Sequence, residues 1–369
     1  MFSITEVCGM SQARSLPFLR LHQVSEESSN EMPVPTKCHN FLHYVKRTIM
    51  QCWALSSAAA LTILLIYWVY GGVLAFLLLC FTVTGILYHS EDQLVYHPDQ
   101  PSHSRIFIPI PSMMRLPYES IYVRSPDGTR IHLYLIKQPD AAYKTAPTVV
   151  FLHGNAGNMG HRLQNASGLY HSLNCNLLMV EYRGYGLSEG CPSEEGICMD
   201  ARTAIDFILS RPDLNHQQIV VFGRSLGGAV AIDLAARPEY SSRIWCVVLE
   251  NTFTSIPDMA AVILRWDVLK ELPFFIYKNK FLSWRKVSSI SIPVLFIIGL
   301  RDAFVPPAMM NKLYQRCGSP HKQVVHFSTG THNDTWMSPG YYAAISNFLR
   351  SALDYFPTKI ESMSNIKSV

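Results

Sequence analysis

Gln218-Ile219-Val220-Val221-Phe222-Gly223-Arg224-Ser225-Leu226-Gly227-Gly228 carries the strongest structural signal in this chain. Residues 218–222 are apolar and β-rich, and Gly228 to Ala236 are helix formers. Between them stands Gly-x-Ser-x-Gly, in the strand–turn–helix context that a nucleophile elbow needs. The turn is too tight for side chains on its flanks, which accounts for glycine at 223 and 227. It lifts the Ser225 hydroxyl above the end of a strand and over the start of a helix, where developing negative charge is favoured.

The same alternation extends in both directions. Ile121 to Val123 and Ile131 to Ile136 flank the turn former Ser125-Pro126-Asp127-Gly128 and read as a hairpin. Apolar runs at 148–152, 176–182, 219–222, 245–249, 293–298 and 323–327 read as strands. Helical patterns separate them at 163–173, 193–210 and 307–316, and a last helix is expected over 341–353. Strands alternating with helices predict an α/β fold, a mainly parallel sheet covered on both faces. Sites in such sheets gather at the carboxyl ends of the strands.

A serine hydroxyl needs a base, itself oriented by an acid. Asp302 follows the strand at 293–298, in Gly299-Leu300-Arg301-Asp302-Ala303-Phe304-Val305-Pro306. His332 follows the strand at 323–327, in Gly330-Thr331-His332-Asn333-Asp334. Taken singly, each has a plainer reading: a helix-capping aspartate before Pro306 and a surface-loop histidine. Together, in the order Ser, Asp, His, they read as a triad of Ser225, His332 as base and Asp302 as its orienting acid. The loop after 148–152, His153-Gly154-Asn155-Ala156-Gly157, supplies an oxyanion-hole N–H, from Asn155 or Ala156, to pair with that of Leu226. This loop lacks Gly-Lys-Ser/Thr and is not Gly-x-Gly-x-x-Gly, so a nucleotide loop is rejected.

These motifs, with Tyr182-Arg183-Gly184-Tyr185-Gly186, resemble those of the serine α/β-hydrolases, and more narrowly of the membrane-anchored α/β-hydrolase domain-containing proteins. The resemblance runs from the apolar anchor to the last helix, and the polar N-terminal tail looks like an extension to it. It implies an eight-stranded sheet, a Ser225–Asp302–His332 triad and a type II signal anchor. It implies no substrate, since relatives include thioesterases, lipases and peptidases.

Charged residues make up 16% of the 369, and mean hydropathy is +0.12. An ordinary soluble domain carries about 25% charge, so a membrane segment is expected. A net charge of +4 with no basic stripe argues against nucleic acid. Residues 1–45 are polar and read as a flexible tail. From Arg47 to Glu91 no charged side chain intervenes, and a span needs about 20 apolar residues. The expected anchor region is 46–90, with 67–87 as best span, bracketed by Tyr67, Trp68, Tyr70 and Tyr88 as interfacial aromatics. Residues 53–66 fit an interfacial helix, the first leg of a hairpin or an extension of a tilted span. Lys46 and Arg47 before the span predict a single-pass type II protein, N-terminus cytoplasmic and catalytic domain lumenal or extracellular; two spans would return that domain to the cytoplasm. The sequons at Asn165 and Asn333 are compatible with lumenal N-glycosylation.

The catalytic domain is expected over 105–355, with a short cap about 252–290 and a C-terminal tail at 356–369. The nine cysteines show no Cys-x-x-Cys spacing, and no metal-ligand pattern or cofactor motif appears. A disulfide such as Cys191 with Cys198 is one option; Cys175 and Cys246 read as buried hydrophobes. Leu272-Pro273-Phe274-Phe275-Ile276-Tyr277 among lysines in the cap suits a membrane surface, an acyl-chain pocket or ordinary packing. The expected function is a bilayer-anchored serine hydrolase, forming an acyl-enzyme on an ester or thioester of a small molecule, lipid or lipidated protein. The alternatives are a non-catalytic scaffold with this fold, or a serine peptidase, for which the chain lacks a propeller-sized extra domain. Oligomeric state is not legible.

Overall fold

The computed structural model describes residues 37–366, so most of the tail expected over 1–45 lies outside the described residues. From Lys37 the chain is helical: α1 covers Lys37–Tyr70 and α2 covers Gly72–Val95. Two stretches are long and apolar enough to cross a membrane, Cys52–Tyr70 and Gly72–Val95. The span expected over 67–87 straddles the break between them. Gly71 interrupts the helix at φ 93° and ψ 159°, a conformation that residues with a Cβ avoid. Hydropathy is blind to this break, so Tyr67, Trp68 and Tyr70 close α1 instead of opening a span.

The chain divides into two compact units, 1–62 and 63–369. The described part of the first is the beginning of α1. The second contains an eight-stranded sheet. Its strands are β1 (Tyr118–Arg124), β2 (Arg130–Ile136), β3 (Thr148–Leu152), β4 (Asn176–Glu181), β5 (Ile219–Arg224), β6 (Cys246–Glu250), β7 (Val294–Gly299) and β8 (Lys322–Phe327). They lie in the order β1-β2-β4-β3-β5-β6-β7-β8. β2 runs antiparallel to β1 and β4, and the remaining pairs are parallel.

The helices are α3 (Leu163–Leu173), α4 (Glu194–Ser210), α5 (Leu226–Ala236), α6 (Pro238–Ser241), α7 (Ile256–Leu264), α8 (Ser283–Lys286), α9 (Pro307–Arg316) and α10 (Tyr341–Ile366). Side chains alternate across each strand, so the sheet separates two cores. Ile219 and Val221 of β5 join the core under α4, α5 and α9. Val220 and Phe222 join the other, under α3 and α10. Strands β3 to β7 are buried throughout, which explains their continuous apolar runs. α10 runs on to Ile366, past the expected end at 353 and into the expected tail. Among the residues whose burial is described, Ala352 is the last of α10 in the buried core, and the backbone remains helical beyond it.

Candidate active site

The loops after β5, β7 and β8 converge at the carboxyl edge of the sheet. The first carries Ser225 at φ 54° and ψ −119°, a strained geometry for a residue with a side chain. Its N–H donates to the Glu250 carbonyl at 3.0 Å, and its carbonyl accepts from Thr252 Oγ1 at 2.6 Å. The flanking glycines are sterically required: a Cβ on Gly227 would lie 2.0 Å from the Leu152 carbonyl oxygen, and one on Gly223 would lie 2.2 Å from that of Gly227.

Ser225 Oγ lies 3.1 Å from His332 Nε2, and His332 Nδ1 lies 2.7 Å from Asp302 Oδ2. The second carboxylate oxygen, Asp302 Oδ1, accepts the N–H groups of Phe304 at 2.9 Å and Val305 at 2.8 Å. The Asp302 side chain is 1% exposed and that of His332 16%, an acid sealed behind a base that faces solvent. The structure therefore brings together the three residues singled out in sequence, from positions 225, 302 and 332.

The loop after β3 passes beside the serine; a Cβ on Gly154 would sit 3.5 Å from Ser225 Cβ. Among the described residues, the N–H groups of Asn155 and Leu226 donate to no backbone or side-chain acceptor, so both are available to a ligand oxygen. The Asn155 side chain is engaged elsewhere. Its Nδ2 donates to Val95 O at 2.6 Å, and its Oδ1 accepts from the Tyr185 hydroxyl at 2.8 Å. Behind the loop, the wholly buried Glu181 accepts the Met159 N–H and lies 3.1 Å from His153 Nε2. His153 thus supports the loop and does not compete with His332.

Several contributors were not singled out in sequence. Asn251 donates to the Thr331 carbonyl at 3.1 Å and to Thr335 Oγ1 at 3.0 Å, and accepts the Gly299 N–H at 2.9 Å. It ties the loop bearing His332 to the end of β7. Glu250 is buried, and burial pushes its carboxyl up, opposed by Arg224 and by the phenol donated from Tyr341. Arg224 also donates to the Asn333 carbonyl at 3.2 Å. Their only signal was position at a strand end; the partners are remote in sequence.

A cavity of about 470 Å³ opens over Ser225 and Leu226. Its walls are apolar: Leu94 and Val95 of α2, Met259 and Ile263 of α7, and Leu272 and Ile276 beyond it. Such lining around a few polar groups is typical of sites for small organic ligands.

Two expectations require correction. Asn165 is buried on α3, its carbonyl accepting from the Tyr342 hydroxyl, so a glycan has no room there. Asn333 is exposed, next to His332. Cys191 and Cys198 form no disulfide: the first is exposed, the second buried in α4, and both thiols are free.

A family model described as alpha/beta hydrolase fold matches residues 147–281. The chain is 39% identical over 267 residues to protein bem46 of Schizosaccharomyces pombe, covering 72% of this chain and 87% of that one. It is also 39% identical over 289 residues to the alpha/beta hydrolase domain-containing protein WAV2 of Arabidopsis thaliana, covering 74% and 91%. An uncharacterized membrane protein of Saccharomyces cerevisiae, YNL320W, is 34% identical over 270 residues, covering 71% and 90%. Among solved structures, the Pyrococcus furiosus esterase Pf2001 superposes with a TM-score of 0.55 at 19% identity, covering 67% of this chain and 95% of that one, which speaks to the fold alone. The chain belongs to the α/β-hydrolase family, and within it is of the alpha/beta-hydrolase domain-containing protein 13 kind. It is a hydrolase in the general sense that the family defines.

Proposed function

We propose that this protein is a serine hydrolase that cleaves an ester or thioester through an acyl-enzyme, with a lipid or a lipidated protein as acyl donor. The observation that carries this reading is the unbroken relay from Ser225 Oγ to His332 Nε2 at 3.1 Å and from His332 Nδ1 to Asp302 Oδ2 at 2.7 Å, beneath an apolar cavity. Ser225 attacks the acyl carbonyl while His332 Nε2 takes its proton. The carbonyl oxygen, now an oxyanion, is received by the N–H groups of Leu226 and Asn155, each worth about 3–4 kcal/mol at the transition state. Collapse breaks the bond to the leaving alcohol or thiol, which departs with the proton from His332. Water, deprotonated by the same nitrogen, then releases the acid and restores Ser225. Asp302 holds the imidazole tautomer and stabilises the imidazolium.

The acyl preference rests on the cavity, whose polar groups cluster at Ser225 while its length is hydrocarbon. The test is labelling by a serine-directed phosphonate together with turnover of acyl esters. Ser225→Ala is expected to abolish labelling and to remove roughly 10⁶-fold of turnover. A folded wild-type protein that is never labelled refutes the enzyme reading and favours a scaffold.

For the membrane, the proposal is an N-terminal anchor with a cytoplasmic N-terminus and a catalytic domain on the opposite side. Connections between antiparallel helices usually take about 2–8 residues, and only Gly71 separates α1 from α2. The break therefore favours a bend over a reversal. Exposed Asn333 is then the acceptor available for N-glycosylation. Protease digestion of the C-terminal domain from the cytoplasmic face of intact microsomes would refute this orientation.

A further inference from the structure

The last turns of α2 do more than lead into the catalytic domain. Leu87, Tyr88, Glu91, Leu94 and Val95 fall at offsets 0, 1, 4, 7 and 8, one face of a helix, and all five line the cavity over Ser225. The helix is bolted in place there. The Glu91 carboxylate accepts the N–H groups of Lys278 and Asn279, each at 2.7 Å. Asp92 pairs with the Lys278 ammonium and accepts from Asn279 Nδ2 at 2.7 Å. Tyr96 donates its hydroxyl to the buried Asn279 Oδ1 at 2.7 Å. Opposite, α7 ends in an exposed run, 262–268, in which Val262, Ile263, Leu264, Trp266 and Val268 are apolar; Ile263 and Leu264 line the same cavity. Phe275 is 78% exposed further along the cap. A patch of this kind marks an interaction surface.

We propose that the apolar cap face around Trp266 and Phe275 rests in the bilayer, and that α2 supplies one wall of the acyl pocket, so that an acyl chain enters the site directly from the lipid phase. This rests on the hydrolase reading given above. Two observations name lipid as the occupant. The apolar surface is continuous: α2, whose Val73, Phe76, Leu77 and Phe81 are all exposed, runs from a membrane-length apolar helix into the pocket wall without a break in chain or packing. The cap also carries cations: Lys270, Lys278 and Lys286 pair with Asp267, Asp92 and Asp233, whereas Arg265, Lys280 and Arg285 form no ion pair among the described residues and suit anionic headgroups. The chain-length preference of the enzyme is then set partly by a helix outside the hydrolase fold itself.

The experiment uses the full chain in phosphatidylcholine vesicles, with and without phosphatidylserine. Brominated acyl chains quench tryptophan held among lipid tails. The proposal expects part of the quenchable emission to disappear in Trp266→Phe; an unchanged quenching profile overturns the membrane contact. Conversion of a dimer to a monomer by Phe275→Ser, with no bromine quenching at Trp266, assigns the face to a second copy and overturns it as well. For the wall, kcat/KM is measured for hexadecanoyl against butanoyl esters in wild type, Leu94→Trp and Leu87→Phe, the second variant covering misfolding of the first. Intrusion into the pocket lowers the long-to-short ratio by about 10–200-fold, as a misplaced methylene or two does in hydrophobic pockets. An unchanged ratio in variants that keep the wild-type thermal transition overturns the wall assignment. Failure of wild type to accept phosphonate at Ser225 refutes the hydrolase reading instead, and leaves the quenching result to decide the membrane contact.

Discussion

Asp302→Asn isolates one function of the acid, control of the His332 tautomer. Asp302 Oδ1 accepts two backbone N–H groups, from Phe304 and Val305, while Oδ2 faces His332 Nδ1. In the asparagine variant the amide oxygen remains with the two N–H donors. The flipped rotamer would forfeit both bonds, about 1 kcal/mol each, and set an NH₂ group against two donors. The amide nitrogen is thereby held toward His332, where it donates to Nδ1. Nε2 must then carry the proton and is unable to accept one from Ser225. Loss of the acceptor tautomer costs about 10⁴-fold in kcat, or about 5 kcal/mol of transition-state stabilisation. KM should change little, because the carboxyl is sealed from the cavity by His332. The assay is steady-state hydrolysis of an acyl ester, with the rate of phosphonate labelling as an independent measure of Ser225 nucleophilicity. Activity within tenfold of wild type would refute the assigned geometry, and equal loss with a collapsed thermal transition would reassign Asp302 to structure.

Gly227→Ala forces a Cβ to within 2.0 Å of the Leu152 carbonyl oxygen, and should lower stability by about 1–3 kcal/mol or more, read as a fall in denaturant midpoint. Burial pushes His132 from 6.5 down to about 4. The unfolded chain therefore binds its proton first on acidification, and this contribution to stability, complete above about 6.5, is lost as pH falls toward 4. His132→Gln should flatten that part of the Tm–pH curve, and an unaltered curve counts against the assignment. Burial also pushes the Cys175 thiol up to about 12, so in the native protein a thiol reagent should modify exposed Cys191 and spare Cys175 until unfolding. Glu181→Ala removes the acceptor for the Met159 N–H and the partner of His153. It should loosen the oxyanion loop, lowering kcat by about tenfold or more with a smaller effect on KM, and a selective rise in KM would argue against that role.

The elbow, the Asp302 and His332 loops and the strand–helix alternation were legible because each is local. A Gly-x-Ser-x-Gly between a β run and a helical run is written in consecutive residues, and buried parallel strands must be apolar throughout. The limits of β2 to β8 were found to within a residue or two for the same reason, whereas β1, which is only partly buried, begins three residues before the expected Ile121. The N-terminal break was not legible, because hydropathy integrates over a window while Gly71 acts through its backbone dihedral. Nor was the burial of Asn165, which depends on α10 crossing α3 and not on the sequon.

Sequence alone determined which residues have the chemistry for the site, the order in which they occur, and the presence of an apolar stretch of membrane length, since side-chain identity and periodicity suffice for these. Only the tertiary structure decided that Ser225, His332 and Asp302 meet at hydrogen-bonding distance, that Asn251 ties their loops together, and that α2 forms a wall of the cavity. Each of those joins residues far apart along the chain. Their meeting depends on sheet order and on how the layers pack, quantities that no local window of sequence contains.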